Sequence, residues 1–433
     1  MPFRLRREVT LALLASGFVL AAIVAVGLAP FARANSWAAG AGNNLWQALG
    51  LGLPWLACLA AALWGLRRRL PGHDPYLVPT AYLLAGWGLA LIWRLAPAFA
   101  LRQALWLCVA TAVLLGVAWL PGDLRWLRRY RYTWLLGGLA LTALTLLLGV
   151  NPSGQGQRLW LGLGGLLYLQ PAEILKVLLV VFLAAYLADR REMLFQPQAP
   201  PRRLSLEAFP YFFPLLLMWG FSMLILVVQR DLGMSTLFFA VFLVMLYLAS
   251  GHMRYVVVGG ALLLLAALIG YALFDVVRLR VEAWWNPWAD SAGRSYQIVQ
   301  SLIAMAAGGL LGRGPGLGAP TLIPVAHSDF IFAALAEEWG LAGVLAAIGL
   351  TGLVVFRGIR IALAAQGAFR QLLAGGLAAL LGLQALMIMG GVLKIIPLTG
   401  LTLPFLSYGG SSLVASFCCL GLLLRLSLAP PSR

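Results

Sequence analysis

Residues Thr321–Phe356 read TLIPVAHSDFIFAALAEEWGLAGVLAAIGLTGLVVF. From residue 329 to 356 the side chains are almost all apolar, with glycine and alanine set among leucine, isoleucine and valine. A helix rises 1.5 Å per residue, so this run exceeds the roughly 20 residues that cross a ~30 Å hydrocarbon layer. Yet its head carries three carboxylates, Asp329, Glu337 and Glu338, in a chain of 433 residues with only 14 acids. Charge is costly in lipid, so these side chains are expected to face protein or a wet cavity.

The same apolar pattern recurs along the chain, which is 62% hydrophobic and 10% charged. Spans are expected near 8–29, 45–66, 76–95, 101–120, 132–150, 171–188, 208–229, 232–250, 254–275, 329–356, 371–397 and 406–427. The alternating ten-residue segments of a membrane β-barrel are missing. The chain therefore reads as an all-α polytopic membrane protein of about 12 spans. Cys58, Cys108, Cys418 and Cys419 all lie in apolar runs without metal-ligand spacing, so neither a disulfide nor a zinc site is expected.

A net charge of +17 would in a soluble protein suggest nucleic-acid binding; here the arginines sort by loop instead. Twenty fall in one set of alternate loops and ends, including Arg67, Arg68, Arg69, Arg125, Arg128 and Arg370, and nine in the other. The richer side is cytoplasmic by the positive-inside rule, which places both termini in the cytoplasm. The N-terminal basic residues, apolar run and Ala32-x-Ala34 imitate a secretory signal, but the apolar run is too long, and an uncleaved first helix is expected.

Three unusual segments then face outward: 151–170, 276–328 and 398–405. The second is the only long loop, and compact domains seldom keep one without a function. It should hold a short amphipathic helix, Tyr296–Ala307, and a glycine-rich turn, 308–318. Ser328 or Asp329 sits where a helix N-cap belongs, so Asp329 either caps the helix or serves as a general base kept ionised by the helix dipole. Glu173 and Lys176, at i,i+3 in QPAEILK, can pair on one face, as a self-neutralising pair or as part of a site. In VVQRDLGMS, Gln229, Arg230 and Asp231 form a tight outward hairpin, and Arg230 offers charge to a phosphate or marks the interface. Lys394, one of two lysines, lies in an irregular stretch rich in glycine, proline and hydroxyls, which either kinks a helix or lines a cavity.

These segments, RLWLGLGGLLYLQPAEILK (158–176), QRDLG (229–233), YQIVQSLIAMAAGGLLGRGPGLG (296–318), HSDFIFAALAEEWGLAG (327–343) and IPLTGLTLPFLSYGGSS (396–412), occur in the order found in one family. The chain resembles the SEDS proteins (shape, elongation, division and sporulation), which include RodA and FtsW, over roughly residues 76–428. The resemblance implies a ten-helix core over 76–433, preceded by an additional two-helix segment over 1–75. It departs from the family's commoner QPSE and QPDLG at Ala172 and Arg230.

The resemblance further implies a peptidoglycan glycosyltransferase in the bacterial cytoplasmic membrane, with its active site on the outer face. Its substrate would be lipid II, a disaccharide-pentapeptide on undecaprenyl pyrophosphate. The essential aspartate of the family matches Asp329, as catalytic base. Substrate-binding positions would include Trp160, Glu173 and Lys176, with Arg158, Gln229, Arg230, His327, Lys394, Ser407, Gly409, Gly410 and Ser411 as further candidates. Arg158, Arg230, Lys176 and Lys394 are the cations available to a pyrophosphate. No metal site is visible, although a divalent cation could assist. A class B penicillin-binding protein and other elongation or division proteins would be the partners. Lipid II flipping is the alternative activity; a transporter would more often show inverted repeats and a site at the midplane.

Overall fold

The structure, a computed structural model, describes residues 2–34, 41–120, 124–151, 157–163, 167–195 and 209–428. Its helices are α1 (Pro2–Ala34), α2 (Ala41–Arg69), α3 (Leu77–Leu95), α4 (Pro97–Trp119), α5 (Arg125–Arg129), α6 (Arg131–Leu148), α7 (Pro171–Phe195), α8 (Phe209–Val228), α9 (Leu232–Ser250), α10 (Arg254–Leu273), α11 (Asp275–Trp285), α12 (Tyr296–Gly308), α13 (Ile331–Ala364), α14 (Ala368–Val392) and α15 (Gly410–Leu426). Among the described residues ten helices are long and apolar enough to cross a membrane, and α15 and the Phe213–Val228 part of α8 are shorter apolar helices. A helix therefore stands at every expected span. The chain is a multi-pass α-helical membrane protein.

The ends of several spans differ from the expectation for identifiable reasons. α14 stops at Val392 rather than near 397, because Lys394 takes a left-handed conformation (φ 58°). Its N–H and that of Ile395 turn back onto the carbonyls of Gly391 and Gly390. α9 starts at Leu232 because Asp231 caps it, its Oδ1 accepting from the Met234 N–H at 3.1 Å. The amphipathic helix of the long loop is present as α12, and α11 precedes it unforeseen. A short antiparallel hairpin, β1 (Leu161–Leu163) with β2 (Leu167–Leu169), is the only strand pairing among the described residues.

Two compact units emerge, residues 1–119, 267–357 and 384–424 in the first and 120–266, 358–383 and 425–433 in the second. In the first, α1 packs on α2 and α3, and α4 on α2 and α3. Helices in lipid gain little from hydrophobic transfer on association and rely on close packing and hydrogen bonds. Accordingly, fully buried Trp55 donates from Nε1 to the Tyr82 carbonyl at 3.0 Å, and the Tyr82 hydroxyl meets Thr111 Oγ1 at 2.7 Å. At the end holding the start of α1, Glu8 lies 3.1 Å from Arg67 Nε and 2.8 Å from His73 Nε2, while Arg357 pairs with Asp74. In the second unit α7 is central, packed on α5, α6, α8 and α9.

Candidate active site

The acids Glu337 and Glu338 have a structural task. α13 is not continuous: Gly340 breaks it at φ 64°, ψ −165°, a conformation open only to glycine. The groups freed by the break pair with the glycine-rich turn of the long loop. Leu341 and Ala342 donate to the Gly309 and Leu310 carbonyls at 2.9 and 3.1 Å, and Arg313 and Gly314 donate to the carbonyls of Glu337 and Glu338, both at 2.9 Å. Irregular backbone at the head of a span is thereby satisfied within protein.

The carboxylates continue the same docking. Glu338 Oε2 accepts from the Gly316 N–H at 2.9 Å and Glu337 Oε1 from the Ala319 N–H at 2.8 Å. Arg94 Nε lies 3.3 Å from Glu338 Oε1, and Arg94 also donates to the Gly318 carbonyl at 3.1 Å. Arg33, from the last turn of α1, donates to the same carbonyl at 2.7 Å and to that of Gly316.

Asp329 stands apart from this docking, in the turn before α13. Its side-chain bond is not a helix cap: Oδ1 accepts from the Ser328 hydroxyl at 2.9 Å, while the Ala333 and Ala334 N–H groups donate to the Phe330 carbonyl at 2.9 and 3.1 Å. Arg280 of α11 faces it. A Cβ placed on Gly400 would lie 3.8 Å from Asp329 Oδ2 and 3.9 Å from Arg280 Nη2, so both charged groups border one small space. Gly400 itself sits at φ 72°. Arg280 is oriented by the Thr399 and Leu398 carbonyls at 3.2 and 3.4 Å. Loss of hydration raises the Asp329 pKa above its ordinary 3.8, against the pull of the Ser328 hydroxyl and the Arg280 charge. The result is a carboxylate made more basic by its surroundings and still neighboured by a cation.

Several predicted residues build the floor of this site. Ser407 Oγ donates to the Ser328 carbonyl at 2.7 Å, and the Tyr408 N–H donates to the His327 carbonyl at 2.9 Å, which ties the 401–409 segment to the Asp329 turn. The His327 ring packs against both Phe99 and Tyr408, at 5.0 and 5.5 Å between centroids, and those two rings stack on each other at 4.8 Å; burial lowers the His327 pKa, which favours the neutral ring. Gly409 offers its N–H towards Gln103 at 3.4 Å. Gly410 was expected to bind substrate, but a Cβ there would meet the Trp106 ring at 2.1 Å: helix packing explains this glycine. Ser411 is buried in the first turn of α15. Lys394 Nζ donates to the Trp285 carbonyl at 3.3 Å, at the C-terminal end of α11, where the helix dipole favours a cation.

The other candidates lie in the second unit. Glu173 and Lys176 form the expected ion pair and are almost wholly buried, at 3% and 1% exposure. Trp160 is held by a β-bridge to Val150, just before β1. Gln229 spends its amide on α6, donating to the Thr142 carbonyl at 2.9 Å and Thr145 Oγ1 at 2.7 Å; that bond explains its burial without a substrate. Arg158 and Arg230 are exposed, and the Arg230 carbonyl accepts from Gln157 Nε2 at 3.0 Å. Among the described residues no group of three His, Cys, Asp or Glu could hold a metal ion. The sequence reading missed Arg280, Gly400, Gln103, Arg33 and Arg94. Four arginines in the sparsely charged long loop, Arg280 among them, were the signal available.

A family model for cell cycle proteins of the FtsW, RodA and SpoVE type matches residues 94–430. The chain belongs to the FtsW/RodA/SpoVE family. The peptidoglycan glycosyltransferase RodA of Mycobacterium tuberculosis is 40% identical over 393 residues, covering 88% of this chain and 84% of its own. The enzyme of the same name from Mycobacterium leprae is 38% identical over 436 residues, covering 98% and 91%. That alignment leaves out 2% of this chain, too little to omit α1 and α2. Among solved structures, a chain from a peptidoglycan synthase complex that coordinates polymerization and crosslinking is similar at a TM-score of 0.67 and 30% identity, over 82% of this chain and 98% of that one.

Proposed function

We infer that the chain is a peptidoglycan glycosyltransferase, polymerising lipid II into β-1,4-linked glycan with release of undecaprenyl pyrophosphate. Relatives with that activity align over most of both chains. The observation that carries the assignment of roles is the Asp329–Arg280 arrangement around Gly400. Asp329 takes the proton from the 4-hydroxyl of the acceptor sugar as that oxygen attacks the anomeric carbon of the donor. The pyrophosphate leaves from the opposite face, so the α-linked donor becomes a β-glycoside in one displacement. Pyrophosphate needs no acid to leave, which accounts for a single catalytic carboxylate where hydrolases use two.

Charge on the leaving group calls for cations. Lys176 and Lys394 are engaged with Glu173 and the Trp285 carbonyl, whereas Arg158 and Arg230 present exposed guanidinium groups. A divalent cation carried by the substrate is tested by adding chelator. Both termini are placed in the cytoplasm and the Asp329 turn outside. Support comes from the docking of the ends of α1 and α3, through Arg33 and Arg94, on the long loop. A class B penicillin-binding protein is the proposed partner, in keeping with the synthase complex among the similar structures.

The test is polymerisation of labelled lipid II by the purified protein, with and without its transpeptidase. Asp329→Asn is expected to remain folded and to lose on the order of 10²–10⁴-fold in rate, the usual contribution of a general base. Wild-type activity should fall as pH drops through the raised Asp329 pKa, because only the ionised form accepts a proton. A folded Asp329→Asn protein that makes glycan at full rate would sink the assignment. Transfer of lipid II between leaflets without polymer would favour the flippase.

A further inference from the structure

The second unit contains a basic recess for which the glycan chemistry has no use. Its volume is about 270 Å³, and it is lined by Arg125, Arg128 and the head of α14, Gly367 to Arg370. An adjoining hollow of about 300 Å³ shares Arg125 and Arg128 and adds Arg129 and Arg131, with Asp189 as its one carboxylate. Asp189 is already bound to Arg128 and Arg131.

We propose that this recess binds a phosphate-bearing anion, of the kind carried by an anionic phospholipid headgroup. Two independent features point to an anion. The first is the N-terminus of a 25-residue helix opening into the recess behind Gly367, which sits at φ 88°. The first N–H groups of such a helix have no acceptor within it, and the dipole favours negative charge there. The second is Arg370, which is 8% exposed. Its Nη2 donates to the Leu426 and Leu428 carbonyls at 3.2 and 2.6 Å, while its Nε is buried without a hydrogen-bond partner. Among the described residues no carboxylate pairs with it, and the like charge of Arg425 acts on it unfavourably. A buried cation without a counter-charge is costly, and a phosphate oxygen in the recess would supply both the charge and the missing acceptor.

Arginines kept only for topology would be solvated and would need no recess. Basic pockets between membrane helices on the cytoplasmic side are, moreover, a recurrent form of anionic-headgroup site. The proposal rests on the membrane orientation given above and is independent of the roles assigned to Asp329.

The experiment uses the full chain in nanodiscs of phosphatidylcholine, with or without phosphatidylglycerol, and counts retained lipid by native mass spectrometry. Wild type should retain phosphatidylglycerol selectively. Arg125→Gln and Arg370→Gln should each lower retention about fivefold, the effect of one basic residue at an anionic surface. Arg68→Gln, an exposed arginine stacked on Trp64 in the first unit, should not. If Arg370→Gln does not fold, Arg125→Gln carries the test alone. Inorganic phosphate is then titrated into phosphatidylcholine discs. A rise in thermal stability that depends on Arg125 would support the site with free phosphate as occupant. Its absence, together with selective phosphatidylglycerol retention, would support it with the lipid headgroup. Equal losses in Arg68→Gln and Arg125→Gln, or wild type showing neither phosphatidylglycerol selectivity nor an Arg125-dependent response to phosphate, would overturn the proposal.

Discussion

Replacing Glu338 by glutamine separates a loop-anchoring acid from the base proposed at Asp329. The side chain is almost wholly buried, with one oxygen on the Gly316 N–H at 2.9 Å and the other 3.3 Å from Arg94 Nε. Glutamine preserves an acceptor for Gly316 and removes the counter-charge of Arg94. Stripping one partner from a buried ion pair costs about 3–5 kcal/mol, chiefly because the other charge is stranded. Arg94 is 16% exposed at its side chain and retains the Gly318 carbonyl, so the lower end of that range applies. Chemical denaturation of purified protein in detergent measures the loss. Adding Arg94→Met should recover part of it, since no stranded charge then remains. The acid limb of the polymerisation pH profile should stay in place, because Glu338 handles no proton of the reaction. A Glu338→Gln protein of wild-type stability with a displaced acid limb would refute the reasoning and return this residue to the chemistry.

Glu173 and Lys176 should couple in a double-mutant cycle on stability, with either single change costing about 3–5 kcal/mol and the double change less than the sum; additive losses would contradict the ion pair. The His73 pKa is raised, because burial, which lowers it, is outweighed by the Glu8 hydrogen bond and charge, the Leu70 carbonyl and the Asp74 charge. This contact therefore stabilises the fold fully below the ordinary pKa of 6.5 and less as pH rises through the folded value. Unfolding midpoints across that window should show a slope that His73→Gln abolishes. Gly349→Leu should weaken co-purification with the transpeptidase while leaving the free protein stable, because a side chain there meets nothing within 4 Å. Lost stability with the partner retained would argue against that face.

Helix positions were legible because lipid tolerates only backbone that satisfies itself, and about 20 apolar residues in a row meet that demand in few ways. Small-residue faces were less legible. Glycines 343, 349 and 376 lie in runs of small residues that suit close helix approach, by a partner or within the chain, yet a Cβ on Gly376 would meet Met245 Sδ at 2.4 Å and one on Gly343 would meet Trp339 Cβ at 2.3 Å. Those two glycines serve packing inside the chain, and only Gly349 looks onto open space. The helix break at Gly340 was hidden because AEEWGLAG is compatible with a continuous helix; only the pairing with residues 309–314, far away in sequence, makes the break favourable. The same distance concealed Arg280, which borders the Asp329 space from 49 positions earlier, with a whole α-helix, α12, between them.

The opening sequence places three acids together, and the structure divides them by what surrounds each. Glu337 and Glu338 accept backbone N–H groups of the glycine-rich loop, and Glu338 also has Arg94 beside it. An acid so committed has little capacity left for a substrate proton. Asp329 accepts one short-range hydroxyl and shares its space with Arg280 and a residue without a side chain. Desolvation makes it a stronger base than a solvated aspartate, while Arg280 limits that rise and helps keep the proton-accepting form. A sugar hydroxyl entering over Gly400 would meet the oxygen that can take its proton without first displacing a structural hydrogen bond. The role proposed for Asp329 at the head of α13 thus rests on what this carboxylate is spared, and the loop docking performed by its two neighbours is what spares it.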